Sequence, residues 1–282
     1  MKKYTYFIGV LVVLAFLGVS KAATSGSKPP VVLLEKKNTL TMRSVFTEES
    51  VGAVQAQALA ISGALGAHQD IYLYMDTPGG SIVAGNHLIS TLQGLPQEVK
   101  TVTSFSASMG FITTQSLGER LTTPDGVYMS HRAKIGLSGQ IPGEVNTMLA
   151  FWQNTMTNIE TGISSRMGLS LKDYQDLVRE EYWVSGADAV KAKVADKVVL
   201  VQCAQDLSGS TDTKIQTIFG VITVTYSDCP LISAPLAIAF GALQGTDAEL
   251  ANVKKVVFEV LTNPSSFVGD DNIQKQYYSY VH

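Results

Sequence analysis

Cysteine is almost absent: 282 residues hold two, Cys203 and Cys229, both in the C-terminal quarter. With so few nearby histidines they cannot assemble the four-ligand shell of a structural zinc site. Charge is also scarce, 16% against 45% apolar residues, which excludes wholesale disorder and leaves ample material for a buried core. The formal charge is −3 and no basic block or arginine stripe interrupts the chain, so the electrostatic footprint of a nucleic-acid binder is missing. No apolar run reaches the ~20 residues that comfortably span a bilayer. The first such run, Tyr4 to Val19, follows Lys2-Lys3 and leads into Ser20-Lys21-Ala22. A short positive head, an apolar stretch and small residues predict an export signal over residues 1–22, cleaved near Ala22, with an N-terminal membrane anchor as the alternative. No cysteine stands there to carry a lipid. Cleavage would leave 18 basic against 24 acidic residues, about −6, in a periplasmic or extracellular protein. Export makes Cys203 and Cys229 a candidate disulfide worth a few kcal/mol; two free thiols are the alternative, because spacing does not establish that the Cα atoms meet.

What is present alternates. Residues 23–30 read as a flexible entry. Short apolar runs at Val31–Leu34, Leu40–Met42, Ile71–Met75, Val99–Ser104, Val127–Ser130 and Val198–Val201 predict strands. Between them, Glu48–Leu65, Ile82–Leu92, a stretch to about Leu117, Leu171–Arg179 and Ser185–Lys193 predict helices. A long helix over Gly143–Met167 carries Val145, Met148, Trp152, Met156, Ile159 and Ile163 at intervals of three and four. Strands alternating with helices predict an α/β layered domain over residues 23–202. Composition shifts beyond it. Residues 203–282 read as an appended subdomain without legible chemistry: a strand at Ile215–Tyr226, a strongly apolar Leu231–Leu243 expected to be buried or an oligomer contact, and a helix at Asp247–Leu261.

Three segments carry candidate chemistry, and each alone has a plain structural reading. Pro78-Gly79-Gly80 after a strand can turn amide hydrogens into a cleft, but is more often only a turn. Ser108 stands where a strand gives way to a helix, so the helix dipole and free amides would stabilise negative charge beside it, yet most such serines are caps. Four histidines occur. His68 lies beside a polar loop and His282 is terminal, which leaves His87 and His131. His131, at a strand end 23 residues after Ser108, is the better-placed base.

Together, Asp76-Thr77-Pro78-Gly79-Gly80-Ser81, Ser106-Ala107-Ser108-Met109-Gly110 and Val127-Tyr128-Met129-Ser130-His131 resemble, in order and separation, three motifs of the Clp protease proteolytic subunit. The resemblance runs from about Leu33 to Val201. It implies an α/β fold of the Clp-protease/crotonase type, built of repeated ββα units with a long handle-type helix. It implies Ser108 as nucleophile, His131 as base, and the amides of Gly80 and Met109 as oxyanion hole, with Gly79 as the alternative donor. The family's aspartate is replaced: aligning on Ser185 puts Glu181 in its place, followed by Glu180, Asp176 and Asp196 as alternatives. Lys134 would be the base of a serine-lysine variant. The resemblance further implies hydrolysis of peptide or unfolded protein segments through an acyl-enzyme, no cofactor and no metal, and a homo-oligomer. Export implies that no ATP-dependent unfoldase serves it. The alternatives are a catalytically weak or inactive scaffold and an acyl-CoA enzyme of the crotonase kind.

Overall fold

The structure, a computed structural model, describes residues 28–281; the predicted export signal lies outside them. Strand β1 (Val31–Leu34) leads through β2 (Thr39–Met42) into helix α1 (Glu48–Ala64). Then β3 (Ile71–Thr77), α2 (Ile82–Gln93), β4 (Val99–Ala107), α3 (Met109–Ser116) and β5 (Arg120–Ser130) follow in strict alternation. β2, β3, β4 and β5 pair in that order and all run parallel. A parallel sheet covered on both faces buries every side chain, which is why Ile71–Met75 reads as one apolar run. Leu73 and Met75 enter the core beneath α1 and α2, with Leu88 and Val51. Tyr74, one residue out of phase, turns to the opposite face and packs with Leu34, Val102 and Leu121.

Parallel direction fixes the site: the strands' carboxyl ends share one edge of the sheet, where ligand crevices of open α/β sheets lie. Thr77 pairs with Ser106 and Ala107 with Met129, so the segments after β3, β4 and β5 emerge side by side. β5 is longer than the expected Val127–Ser130. It begins at Arg120 and carries exposed Pro124 and Asp125 in mid-strand, opposite a register shift between Thr103 and Phe105. Those turn-type residues hide its first half in the sequence.

Helix α4 (Gly143–Met167) buries only Ile163, Ser164 and Met167; its first half leaves Met148, Leu149 and Phe151 exposed. Helix α5 (Leu171–Leu177), β6 (Tyr182–Ser185), α6 (Gly186–Lys191), β7 (Lys197–Val198) and β8 (Leu200–Cys203) complete this part. β6 and β7 both pair with β5, and β8 with β1. β6 is a strand that the sequence patterning does not announce.

After Cys203 the architecture becomes antiparallel. β9 (Ser210–Thr217), β10 (Gly220–Ser227) and β11 (Ala237–Phe240) form a sheet covered by α7 (Asp247–Thr262), with α8 (Pro264–Gly269) and α9 (Asp271–Tyr280) behind. The expected single strand over Ile215–Tyr226 is therefore a hairpin, reversed at Ile218-Phe219. Of the two readings of Leu231–Leu243, burial or an oligomer contact, burial holds only in part. Leu231, Ile232 and Leu236 are 42%, 47% and 55% exposed, and within the run Ile238, Phe240 and Leu243 pack against the subdomain core. Pro235 breaks any regular element that could bury the whole run. The subdomain is joined to the first part in several ways. Cys203 and Cys229 are disulfide-bonded with Cα atoms 5.7 Å apart. The Arg43 guanidinium lies 4.6 Å above the Tyr226 ring, and Val45 packs into the subdomain's core. No helix among the described residues is long and apolar enough to cross a membrane.

Candidate active site

Ser108 occupies the N-cap position of α3, yet its side chain caps nothing. Instead Ser108 Oγ and His131 Nε2 lie 2.8 Å apart. Its backbone has φ 54° and ψ −114°, and among the described residues only Ser108 and Lys193 are non-glycines with positive φ. Such dihedrals cost about 1–3 kcal/mol and persist only where the surroundings over-determine them. Here the surroundings are explicit: the Ser108 N–H donates to the Met129 carbonyl at 2.9 Å, tying the turn to the last pair of the β4–β5 ladder.

The Gly-Gly turn presses against the same point. Gly79 has φ +94°, and a Cβ there would stand 2.6 Å from the Ala107 carbonyl and from Ser108 Cβ. Phe46 N donates to the Gly79 carbonyl at 2.8 Å and Ser81 N to the Phe46 carbonyl at 2.9 Å, so the turn is stitched to the segment after β2. The Thr77 hydroxyl donates to the Ser44 carbonyl at 2.7 Å and reinforces that seam. Among the described residues, the N–H groups of Gly80 and Met109 have no hydrogen-bond partner. Met109 opens α3, so its amide belongs to the positive end of that helix.

His131 follows β5 directly. Its neighbour Ser130 is buried, pairs with Tyr182 of β6, and lies 2.8 Å from the Tyr174 hydroxyl of α5. Burial first, and then the ammonium of Lys134, hold the imidazole below its usual 6.5; Glu181 and Asp271 pull the other way. His131 is accordingly neutral at pH 7, the form that accepts a proton.

The sequence-derived carboxylates fall elsewhere. Glu181 is close enough for its field to reach His131, but its Oε2 accepts from Trp183 Nε1 at 2.9 Å, and among the described residues no carboxylate hydrogen-bonds to His131. Glu180 is exposed. Asp176 is paired at the surface with Lys172 and Arg179. Asp196 is bound by the backbone and guanidinium of Arg120. Lys134 pairs with Asp271 of α9 at 2.5 Å and has no bond to Ser108. His87, the other candidate histidine, faces Glu48 at the surface, 3.5 Å away. Glu181→Gln is thus expected to lower turnover less than tenfold, whereas loss of an orienting triad carboxylate costs about 10⁴-fold. A kcat comparison at pH 7.5 distinguishes the two.

The open cleft holding Ser108 and His131 has a volume of about 350 Å³ and is lined by Pro78, Gly80, Lys134, Ile135 and Trp152, and also by Phe267, Val268, Gln274 and Tyr278 of α8 and α9. Sequence reasoning missed this last group. Its only signal was the tyrosines among the polar residues near the terminus. A larger cavity of about 620 Å³ lies between α1 and the β9–β10 hairpin and holds neither Ser108 nor His131.

With the geometry in place, comparison with known proteins is direct. The Clp protease family matches residues 27–202. The ATP-dependent Clp protease proteolytic subunit of Streptococcus sanguinis (strain SK36) is 27% identical over 135 residues, covering 46% of this chain and 69% of that protein. The subunits of Streptococcus suis (strain 98HAH33) and Streptococcus pyogenes serotype M1 are 29% and 28% identical over 138 residues, with the same coverage. β9 to α9 lie outside the family match, which nonetheless takes in well over half of the sequence: the chain belongs to the Clp protease family.

Proposed function

We propose that the chain is an exported serine endopeptidase that hydrolyses peptides or unfolded protein segments through an acyl-enzyme on Ser108. The observation that carries this reading is the 2.8 Å approach of His131 Nε2 to an Oγ that its backbone holds at positive φ. Neutral His131 takes the hydroxyl proton as Oγ bonds to the substrate carbonyl carbon. The carbonyl oxygen, now negative, is met by the free amides of Gly80 and Met109, whose fixed dipoles need no reorganisation. The imidazolium then returns its proton to the leaving nitrogen as the C–N bond breaks. Water, deprotonated by the same imidazole, releases the acyl group and restores Ser108. Glu181 and Asp271 stabilise the imidazolium through space.

The family relationship and the exposed first half of α4 support a homo-oligomer. The leader-like residues 1–22 and the Cys203–Cys229 bond support a periplasmic or extracellular location, where no ATP-dependent unfoldase would deliver substrate. Intact mass after exposure to a fluorophosphonate tests the reading. One adduct on the parent chain, absent from Ser108→Ala and His131→Ala, is the expected result. A folded parent that takes no adduct would favour the second reading, an inactive scaffold, to which the missing carboxylate–His131 bond points.

A further inference from the structure

The appended subdomain does more than sit beside the family domain. α8 lays Val268 onto Ala107, which precedes Ser108, and onto Met129, the partner of Ala107 across β4 and β5. Phe267, Gln274 and Tyr278 extend from there into the cleft, so one side of it is built by residues more than 60 positions beyond the family match. The two helices are locked to each other: the Gln274 amide donates to the carbonyls of Phe267 and Val268 at 2.7 and 3.2 Å, and Phe267 stacks edge-on against Tyr277 and Tyr278. Asp271, opening α9, pairs with Lys134, the one basic side chain other than His131 that lines the cleft.

We propose that α8 and α9 are substrate-binding elements, forming one wall of the cleft beside Ser108, where it accepts a small or medium uncharged side chain of a peptide. This rests on the peptidase reading above for its substrate, but the wall is a geometric assignment of its own. Three observations point the same way. The volume of the cleft is near the lower end of the ~300–1,000 Å³ usual for ligand sites. Of its lining, Ile135, Trp152, Val268 and Tyr278 offer apolar surface beside the polar Ser81, Ser108, His131 and Gln274. Its lysine is neutralised by a carboxylate from the same wall, so a charged side chain would enter without a free partner.

Tyr278 is the residue to change, because it is 40% exposed, whereas Phe267 is 3% exposed. Kinetics would use N-acetyl-peptide p-nitroanilides bearing Ala, Leu, Phe or Glu at the residue that acylates Ser108. In Tyr278→Ala the kcat/KM ratio for Phe over Ala is expected to rise about tenfold or more, the scale of a pocket enlarged by several methylenes. Tyr278→Phe should keep the parent ratio. In parallel, amide hydrogen exchange is followed in the otherwise unaltered Ser108→Ala chain, with and without a saturating N-acetyl apolar hexapeptide amide. Exchange over residues 264–281 is expected to slow about fivefold or more. If the parent takes no fluorophosphonate yet the hexapeptide protects 264–281, the hydrolase reading fails and the wall stands. If labelling proceeds but the ratio is unchanged in Tyr278→Ala, or 264–281 gains no protection, the assignment of α8 and α9 is overturned.

Discussion

His131→Ala is expected to lower peptide hydrolysis by about 10⁴- to 10⁶-fold, and Ser108→Ala by as much. Without the imidazole, Ser108 Oγ would have to lose its proton unaided. Among the described residues only His131 is bonded to that oxygen, and Lys134, the lysine nearest to His131 in sequence, is committed to Asp271. Because the two side chains act as one device, the double variant should be no slower than either single one, a non-additivity that separates a catalytic pair from two independent stabilising residues. The pH dependence has a definite sign. The base works only when neutral, and burial with Lys134 holds it below 6.5. Activity should therefore persist as pH falls through 6.5 and decline only beneath it. Lys134→Met removes a charge that lowers this value and should move the acid limb upward. Progress curves of kcat/KM between pH 5 and 8 would record both effects. A His131→Ala chain within tenfold of the parent would sink the assignment.

Gly79→Ala should be the most damaging substitution that removes no functional group: a loss of at least about 3 kcal/mol of stability and a slowing of Ser108 labelling by more than about 100-fold. The added methyl has nowhere to go. It meets the Ala107 carbonyl and Ser108 Cβ at 2.6 Å and the Met109 nitrogen at 2.9 Å, none of them the end of a flexible side chain. The backbone at φ +94° is strained for any residue with a β-carbon as well. Relief requires moving either the nucleophile or the turn that aims the Gly80 amide. Gly52 of α1 is the control. A Cβ there meets nothing within 4 Å, so Gly52→Ala should be neutral or stabilising by up to about 1 kcal/mol. Urea unfolding of both variants, with labelling rates on the folded fractions, checks the contrast; equal behaviour would mean that the seam between the turn and Ser108 is not tight.

The sequence announces most of the cleft's floor because parallel strands deliver their ends to one edge, so order along the chain becomes adjacency in space. Ser108, His131 and the Gly-Gly turn could be placed together on that ground, supported by the family likeness. Glu181 shows where counting residues falls short. It continues the alternation of β6, so its side chain shares a face with Trp183, two positions on, while Tyr182 and Val184 take the other. The indole on that shared face captures the carboxylate. The α8–α9 wall was illegible for a different reason. Asp271 is 140 residues from His131, and tyrosines at Tyr277 and Tyr278 read alike whether they fill a core or line a cleft; here one is 3% and the other 40% exposed. The exposed Leu231–Leu236 run defeated patterning because apolarity signals burial only on average.

The backbone of Ser108 leaves a mark that descent can read. Dihedrals of 54° and −114° are open to glycine without penalty, and serine holds them only through its surroundings. While peptide hydrolysis is under selection, the β-carbon at 108 must be kept because it bears the oxygen. Once that selection lapses, glycine at 108 relieves the strain and stabilises the fold, so it is the first replacement drift should fix, ahead of any loss at His131. Among descendants of this chain, the residue at that position would then record whether the lineage still lives by the reaction.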